Sequence, residues 1–324
     1  MKKGDKNAEM DISFGWLFAI IVGATILALV IFGVAKAIKT SSYAQQTAGA
    51  KELGVLLNPL ETGFESLSST PLTTNVETRI YNKCDNFGDF GKQKISISEY
   101  SFKNWPPPGI AVSFENKYIF SDEIVEGKNF YVFSKPFEYP FKITDLIILT
   151  SADKKYCFNK APEKIKEEIM QIGQANLASN CTSPDYKDYI KICFEGGSGC
   201  KIKVNADRGE VEKNGDTLYF ATLENNFDEK DYSLIYAAIF SDKDIYECQI
   251  KRLTKRASSL AEIYKEKAFL MSQRGCTSGA ETDLEIFISQ LESVQDSSGF
   301  STQGIKYLIE DIKQQNENSM CRLW

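Results

Sequence analysis

"DISFGWLFAIIVGATILALVIFGVAK", residues 11–36, decides how the rest of this 324-residue chain is read. No charged residue falls within residues 12–35. At about 1.5 Å of rise per residue, a helix over this stretch exceeds the roughly 30 Å hydrocarbon core of a bilayer. A cleavable leader is the competing reading. Lys2, Lys3 and Lys6 give a basic start, and Ala35-Lys36-Ala37 imitates an A-x-A cleavage site. The apolar region of a leader, however, runs to only about 7–15 residues. The stretch is therefore expected to stay in the membrane as a single transmembrane helix, residues 12–36, behind a short cytoplasmic tail, residues 1–11.

Lysines flank both ends of the span, with Lys36 and Lys39 following it, so the positive-inside asymmetry is slight. The cysteines decide the orientation. There are 8, at Cys84, Cys157, Cys181, Cys193, Cys200, Cys248, Cys276 and Cys321, all after the span and none in a C-x-x-C pair. An even, dispersed set reads as disulfides in an oxidising compartment, against the alternative of free buried thiols packed as small hydrophobes. This predicts a cell-membrane protein with a large extracytoplasmic C-terminal region. The sequon Asn180-Cys181-Thr182 makes Asn180 a candidate glycosylation site in that topology.

Beyond the span, "KAIKTSSYAQQTAGAKELGVLLNPL" is rich in good helix formers, so the helix is expected to continue as a stalk over residues 37–60, stopping at Asn58-Pro59. The Ser/Thr/Pro-rich stretch at residues 61–74 reads as a linker. "KISISEYSF", "GIAVSFENKYIF", "KNFYVFSKPFEYPF" and "TDLIILTS" are β-branched and aromatic runs expected to form strands, with "NWPPPG" at 104–109 as a rigid connector. Pro162 opens a helix that places Ile165, Ile169 and Ile172 on one face. Strands return after it. Cys193 and Cys200 flank a Gly-rich turn where a hairpin would bring them together, and Asn214-Gly215 is a second hairpin signal. The α+β region is expected over residues 75–240.

Residues 241–324 read as a helical unit. Tyr246, Ile250, Leu253, Ala257, Leu260, Tyr264, Ala268 and Met271 form one long apolar stripe, with Gly275 as its C-terminal stop. Leu284, Phe287, Ile288, Leu291 and Val294 form a second stripe, and Ile305, Leu308, Ile309 and Ile312 a third. If both shorter helices return along the long one, Cys321 comes back to Cys248.

Catalytic chemistry is not announced. The chain has no histidine, which removes Ser-His-Asp and Cys-His constellations, H-E-x-x-H metalloproteases and most catalytic zinc sites. Ser151-Ala152-Asp153-Lys154 matches S-x-x-K without its companion motifs. Asp122-Glu123 and Asp228-Glu229 read as solvated loop charge. The glycines at 196–199 lack the spacing of a phosphate loop. An excess of acidic residues, 44 against 38 basic, argues against nucleic-acid binding. Lys251, Arg252, Lys255 and Arg256 cluster on the long C-terminal helix, where a solvated face is the expected reading. No cofactor or metal is expected, and no catalytic residue is nominated.

Gly15, Ala19 and Gly23 recur every fourth residue, a small face that lets membrane helices approach closely. A basic start with Gly4, an apolar helix, a stalk and a disulfide-bonded β-containing head together resemble the type IV pilin family. The resemblance implies cleavage after Gly4 and a role for Glu9 in subunit assembly. It departs from the family pattern where Asp5, Lys6, Asn7 and Ala8 follow the implied cut. "SFGWLFAIIVGA" is also similar to the anchors of single-pass archaeal surface proteins. Together these readings predict an α+β protein: one N-terminal transmembrane helix extended into a stalk, a β-rich extracytoplasmic head and a C-terminal helical unit. The expected function is a membrane-anchored cell-envelope structural or interaction protein, pilin-like or an assembly subunit, with the membrane and protein partners or further copies as its contacts. The alternatives are a non-polymerising adhesive or ligand-binding ectodomain and, behind it, a carboxylate-based hydrolase.

Overall fold

A single helix, α1 (Phe14–Leu56), follows from the alanine- and leucine-rich composition of its whole length. The computed structural model describes residues 14–58, 68–182, 186–221, 223–225 and 229–324; Gly4, Glu9 and the residue 1–11 tail lie outside them. The chain divides into two units, the first ending at Gln45 and the second being Gln46–Trp324. In the first, Phe14–Ala37 is long and apolar enough to cross a membrane, with a mean hydropathy of 2.9 and none of its window buried.

In the second unit the expected stalk proves to be, from Gln46 onward, a core element. Ala50, Leu53 and Leu57 are buried against Ile80, Ile95, Ile97, Val125, Val132, Ile147 and Leu149 of a sheet. Gly54 permits this, because a Cβ there would overlap the Phe114 ring. Asn58 closes the contact by accepting a 2.7 Å hydrogen bond from Lys117 Nζ.

That sheet has six strands: β1 (Ser68–Asp85), β2 (Lys92–Glu99), β3 (Val112–Phe114), β4 (Ile119–Phe120), β5 (Ile124–Glu138) and β6 (Lys142–Ser151). Their order is β3-β2-β1-β5-β6-β4, antiparallel except for β4 beside β6. β1 begins inside the expected 61–74 linker. Its early part pairs only with β5, and β2 joins from Thr78, so Pro71 stands where one side of the strand is free of ladder bonds. Thr70 and Thr73 are β-branched residues suited to such a segment.

A second six-stranded sheet holds β7 (Tyr156–Asn159), β8 (Leu177–Ala178), β9 (Ile190–Cys193), β10 (Ile202–Asn205), β11 (Glu210–Lys213) and β12 (Asp216–Tyr219), in the order β12-β11-β10-β9-β7-β8. Between β7 and β8 lies α2 (Glu163–Ile172), which buries Ile165, Ile169 and Ile172 as its spacing requires. Asn214 (φ 54°) and Gly215 (φ 87°) make the two-residue turn between β11 and β12. The expected hairpin at Cys193 is corrected. β9 and β10 are parallel, with Ile202 beside Ile192, because the chain loops back through left-handed Gly196 and Gly199 before β10 begins. Cys193 and Cys200 are bonded across that loop. A short antiparallel pair, β13 (Leu223–Asn225) and β14 (Glu229–Asp231), follows.

The C-terminal helices are α3 (Ser233–Phe240), α4 (Lys243–Ser272), α5 (Glu281–Glu292), α6 (Ser297–Phe300) and α7 (Gln303–Asn318). The boundary expected at 240/241 divides residues that share one core. Phe120, Phe133, Phe137 and Ile148 of the first sheet, Ile192 and Val211 of the second, and Ile250, Leu253, Leu284 and Ile309 of the helices form a single buried cluster.

The Cys248–Cys321 pairing is also corrected. The long helix runs out, α5 returns, and Ser297 arrives beside Glu247, donating to it from its backbone N–H at 2.8 Å. Helix α7 then runs outward again, so Cys321 bonds Cys276 at the far end of α4, and Lys267 Nζ donates to the Leu323 carbonyl at 2.6 Å. Cys248 instead bonds Cys84 at the end of β1, and Cys157 bonds Cys181.

Candidate functional site

The chemistry-bearing residues named from sequence are engaged in structure. Ser151 is buried and its hydroxyl donates to the Glu126 carbonyl at 2.7 Å, while Lys154 pairs with Asp122, so the S-x-x-K match forms no nucleophile–base pair. Glu123 faces Lys83 at 3.8 Å. Asp228 lies outside the described residues. Among the described residues no group of three His, Cys, Asp or Glu is placed to hold a metal ion.

Of the basic cluster on α4, Arg252, Lys255 and Arg256 do not form a solvated face. Arg252 is 0% exposed. Its guanidinium donates to the carbonyls of Phe90 (3.0 Å), Lys117 (2.8 Å) and Glu115 (2.8 Å) and to Gln249 Oε1 (2.8 Å). It lies 4.5 Å from the Tyr118 ring centroid, and burial pulls its pKa below the ordinary guanidinium value. Lys255 donates to the carbonyls of Asn86 and Gly88, and Arg256 to that of Ile143. Arg252 and Lys255 bind carbonyls of loops outside the strand ladders and Arg256 binds a carbonyl of β6, which accounts for their clustering. Helical spacing alone could not distinguish that from a solvent-facing cluster.

Asn180 is exposed, and its Oδ1 accepts a 2.9 Å bond from the Thr182 hydroxyl, with Cys181 between them held in its disulfide. Gly15, Ala19 and Gly23 are exposed on α1, and a Cβ at Gly15 or Gly23 meets nothing within 4 Å.

The most distinctive surface feature lies where sequence suggested only a strand end and a connector. β2 stops at Glu99, and the chain turns sharply: Ser101 and Asn104 exchange backbone hydrogen bonds of 3.0 and 2.9 Å. The two residues at the tip, Phe102 (φ 47°) and Lys103 (φ 59°), are left-handed. Phe102 is 96% exposed. Tight hairpin turns of this kind favour Asn-Gly, because other L-residues meet steric resistance at positive φ.

The base of the turn is heavily braced. The Tyr100 amide donates to the Glu77 carbonyl at 2.8 Å. Trp105 packs on Tyr100, 5.1 Å between centroids, and carries the Arg79 guanidinium 4.1 Å from its own. Arg79 is held in turn by Glu126 at 2.7 Å. Ser98 Oγ donates to the Pro106 carbonyl at 2.6 Å, and Gly109 N–H to the Ile97 carbonyl at 3.0 Å. The Ile110 amide donates to Thr47 Oγ1 at 3.0 Å, leaving the Ile110 side chain 73% exposed. Gly109 is required for that approach, since a Cβ would stand 2.8 Å from Gln46 Cβ.

Phe87, 82% exposed, marks the opposite end of the same strand. At about 3.4 Å per residue the eight residues of β2 hold the two tips roughly 27 Å apart. No protein-family model matches the chain, and comparison with curated proteins and with solved structures gave no match.

Proposed function

We propose that this chain is a membrane-anchored cell-envelope protein. Residues 14–37 hold it in the bilayer, and the unit Gln46–Trp324 works on the extracytoplasmic side as an assembly or binding component, without catalysis of its own. One conjunction carries the reading: an unburied apolar helix near the N-terminus is followed by a body whose eight cysteines are all paired in disulfides. Disulfides persist outside the reducing cytosol, and a uniformly apolar surface of this length is satisfied by lipid. On this reading the Gly15, Ala19 and Gly23 face serves helix–helix packing between copies or with another anchor, and the resemblance to type IV pilins belongs to the same picture.

The test is the intact mass of the membrane-extracted protein after alkylation, with and without prior reduction. A chain that retains its span takes up no alkylating groups before reduction and takes up eight afterwards. Eight groups without reduction would place the body in a reducing compartment and overturn the proposal. Loss of the first four residues would assign cleavage after Gly4 and favour a pilin-like subunit.

A further inference from the structure

We propose that the turn at residues 101–104 is a lipid-contacting finger: Phe102 enters the surface of the same bilayer that residues 14–37 span, with Lys103 beside it among the headgroups. This rests on the anchor reading above and adds a second membrane contact made by the body itself.

The first argument is a conflict between sequence and local geometry. A two-residue turn with both tip residues left-handed is built most easily from Asn and Gly; here Phe and Lys occupy it, at about 1–2 kcal/mol of steric penalty per residue. Local rules broken in this way gather where a side chain must be presented. The bonds from Tyr100, Ser98, Gly109 and Ile110 hold the turn in place while the Phe102 ring makes no core.

The second argument is chemical. Within eleven residues the loop presents Tyr100, Phe102, Lys103, Trp105 and Ile110. This is the composition that partitions to a membrane interface: aliphatic and Phe side chains among acyl chains, Trp and Tyr at the headgroup level, and a Lys whose stem lies along the apolar surface while its ammonium meets phosphate. A basic residue there also favours an anionic leaflet.

The third argument is tethering. Thr47, whose hydroxyl receives the Ile110 amide, is ten residues beyond Ala37, the end of the apolar span. Ten residues reach at most about 36 Å even when fully extended. The linking chain sets an upper bound on the separation of Thr47 from the span, so a contact of one aromatic ring, too weak to recruit a free protein, becomes intramolecular. Phe87, exposed beyond the opposite end of β2 and roughly 27 Å away, serves as the internal control.

The experiment uses the full chain in nanodiscs of phosphatidylcholine and phosphatidylglycerol, with or without bromine on the acyl chains. Phe102→Cys and Phe87→Cys are each labelled with a small fluorophore, after mass spectrometry has verified that the native disulfides remain closed. The expected result is a roughly twofold loss of emission from the label at 102 in brominated discs, with the label at 87 unchanged. Trp16 emission, isolated by difference against Trp16→Phe, reports the anchor in the same samples. Quenching of Trp16 without quenching at 102 overturns the finger and leaves the anchor standing. Unquenched Trp16 overturns the anchor reading and the finger with it. A label at 102 that is shielded but not quenched, in discs holding two copies, assigns the turn to protein–protein contact and overturns the lipid proposal.

Discussion

Cys84, the penultimate residue of β1, is bonded to Cys248 on the long helix α4, closing a loop of 164 residues. The bond joins the first strand of the body to the helix that crosses its core, next to the buried Arg252 and the loop carbonyls it binds. The Cys193–Cys200 bond, by contrast, spans 7 residues within one loop.

These two bonds are expected to differ in their effect on stability. Loop-closure entropy assigns about 5 kcal/mol to the longer loop and about 2 kcal/mol to the shorter. The double variant Cys84→Ser/Cys248→Ser should therefore lower the denaturation midpoint far more than Cys193→Ser/Cys200→Ser. Equal losses would show that local packing, not chain constraint, governs both.

Removing the Arg252 side chain should leave the carbonyls of Phe90, Lys117 and Glu115 without their donors inside the protein. Unsatisfied buried acceptors cost about 1–3 kcal/mol each, so Arg252→Ala is expected to destabilise the body by upwards of 4 kcal/mol. Arg252→Lys should recover little of this, because an ammonium cannot reproduce the planar fork. Urea unfolding followed by near-UV circular dichroism checks both variants.

Lys213 gives a pH signature. Its ammonium is half-buried, donating to the carbonyls of Ile239 and Ser241, and loss of solvation lowers its pKa from 10.5 to about 8 despite the nearby Asp122 and Asp242. Between about 8 and 10.5 the unfolded chain keeps a proton that the folded protein has released. Stability should therefore rise with pH across that window, by something of the order of 2 kcal/mol from pH 8 to 10. Below the window both states are protonated and no slope is expected from this group. The comparison is wild type against Lys213→Gln by urea midpoints at several pH values; a rise of the same size in the variant would assign it elsewhere.

The turn at Phe102 predicts a gain of stability. Phe102→Asn combined with Lys103→Gly puts favoured residues at both left-handed positions and should stabilise the body by about 1–2 kcal/mol, since no core contact is lost. A neutral or destabilising result in a thermal melt would show that the Phe102 ring makes stabilising contacts of its own. A gain accompanied by weaker membrane contact would mark the turn as a place where stability yields to function.

Local sequence carried much of this protein. The length and apolarity of residues 14–37, the β-branched runs of β5 and β6, the 3–4 spacing on α4, α5 and α7, and the Asn214-Gly215 turn each depend on neighbours within a few residues. Local pattern does not mark the start of β1, because a Ser/Thr/Pro stretch looks alike as a linker or as a strand with one free edge. It also ended the aromatic strand "KISISEYSF" at Phe102, two residues into a turn whose left-handed tip no residue there advertises.

The sequence by itself determined an apolar N-terminal helix, an α+β body and an even set of cysteines. The tertiary structure decided which cysteines meet, that Ala50, Leu53 and Leu57 belong to the core, that Arg252 is interior, and that Phe102 is not. Helix and strand patterns repeat every two to four residues and are written locally. Disulfide partners, helix docking and the burial of a cation depend on groups brought together from 100 or more residues away, such as Cys84 with Cys248 and Arg252 with Lys117. The direction in which α7 runs settled the Cys276–Cys321 bond, and a helix's direction within a bundle is set by the connection before it and the faces it covers, not by its own periodicity.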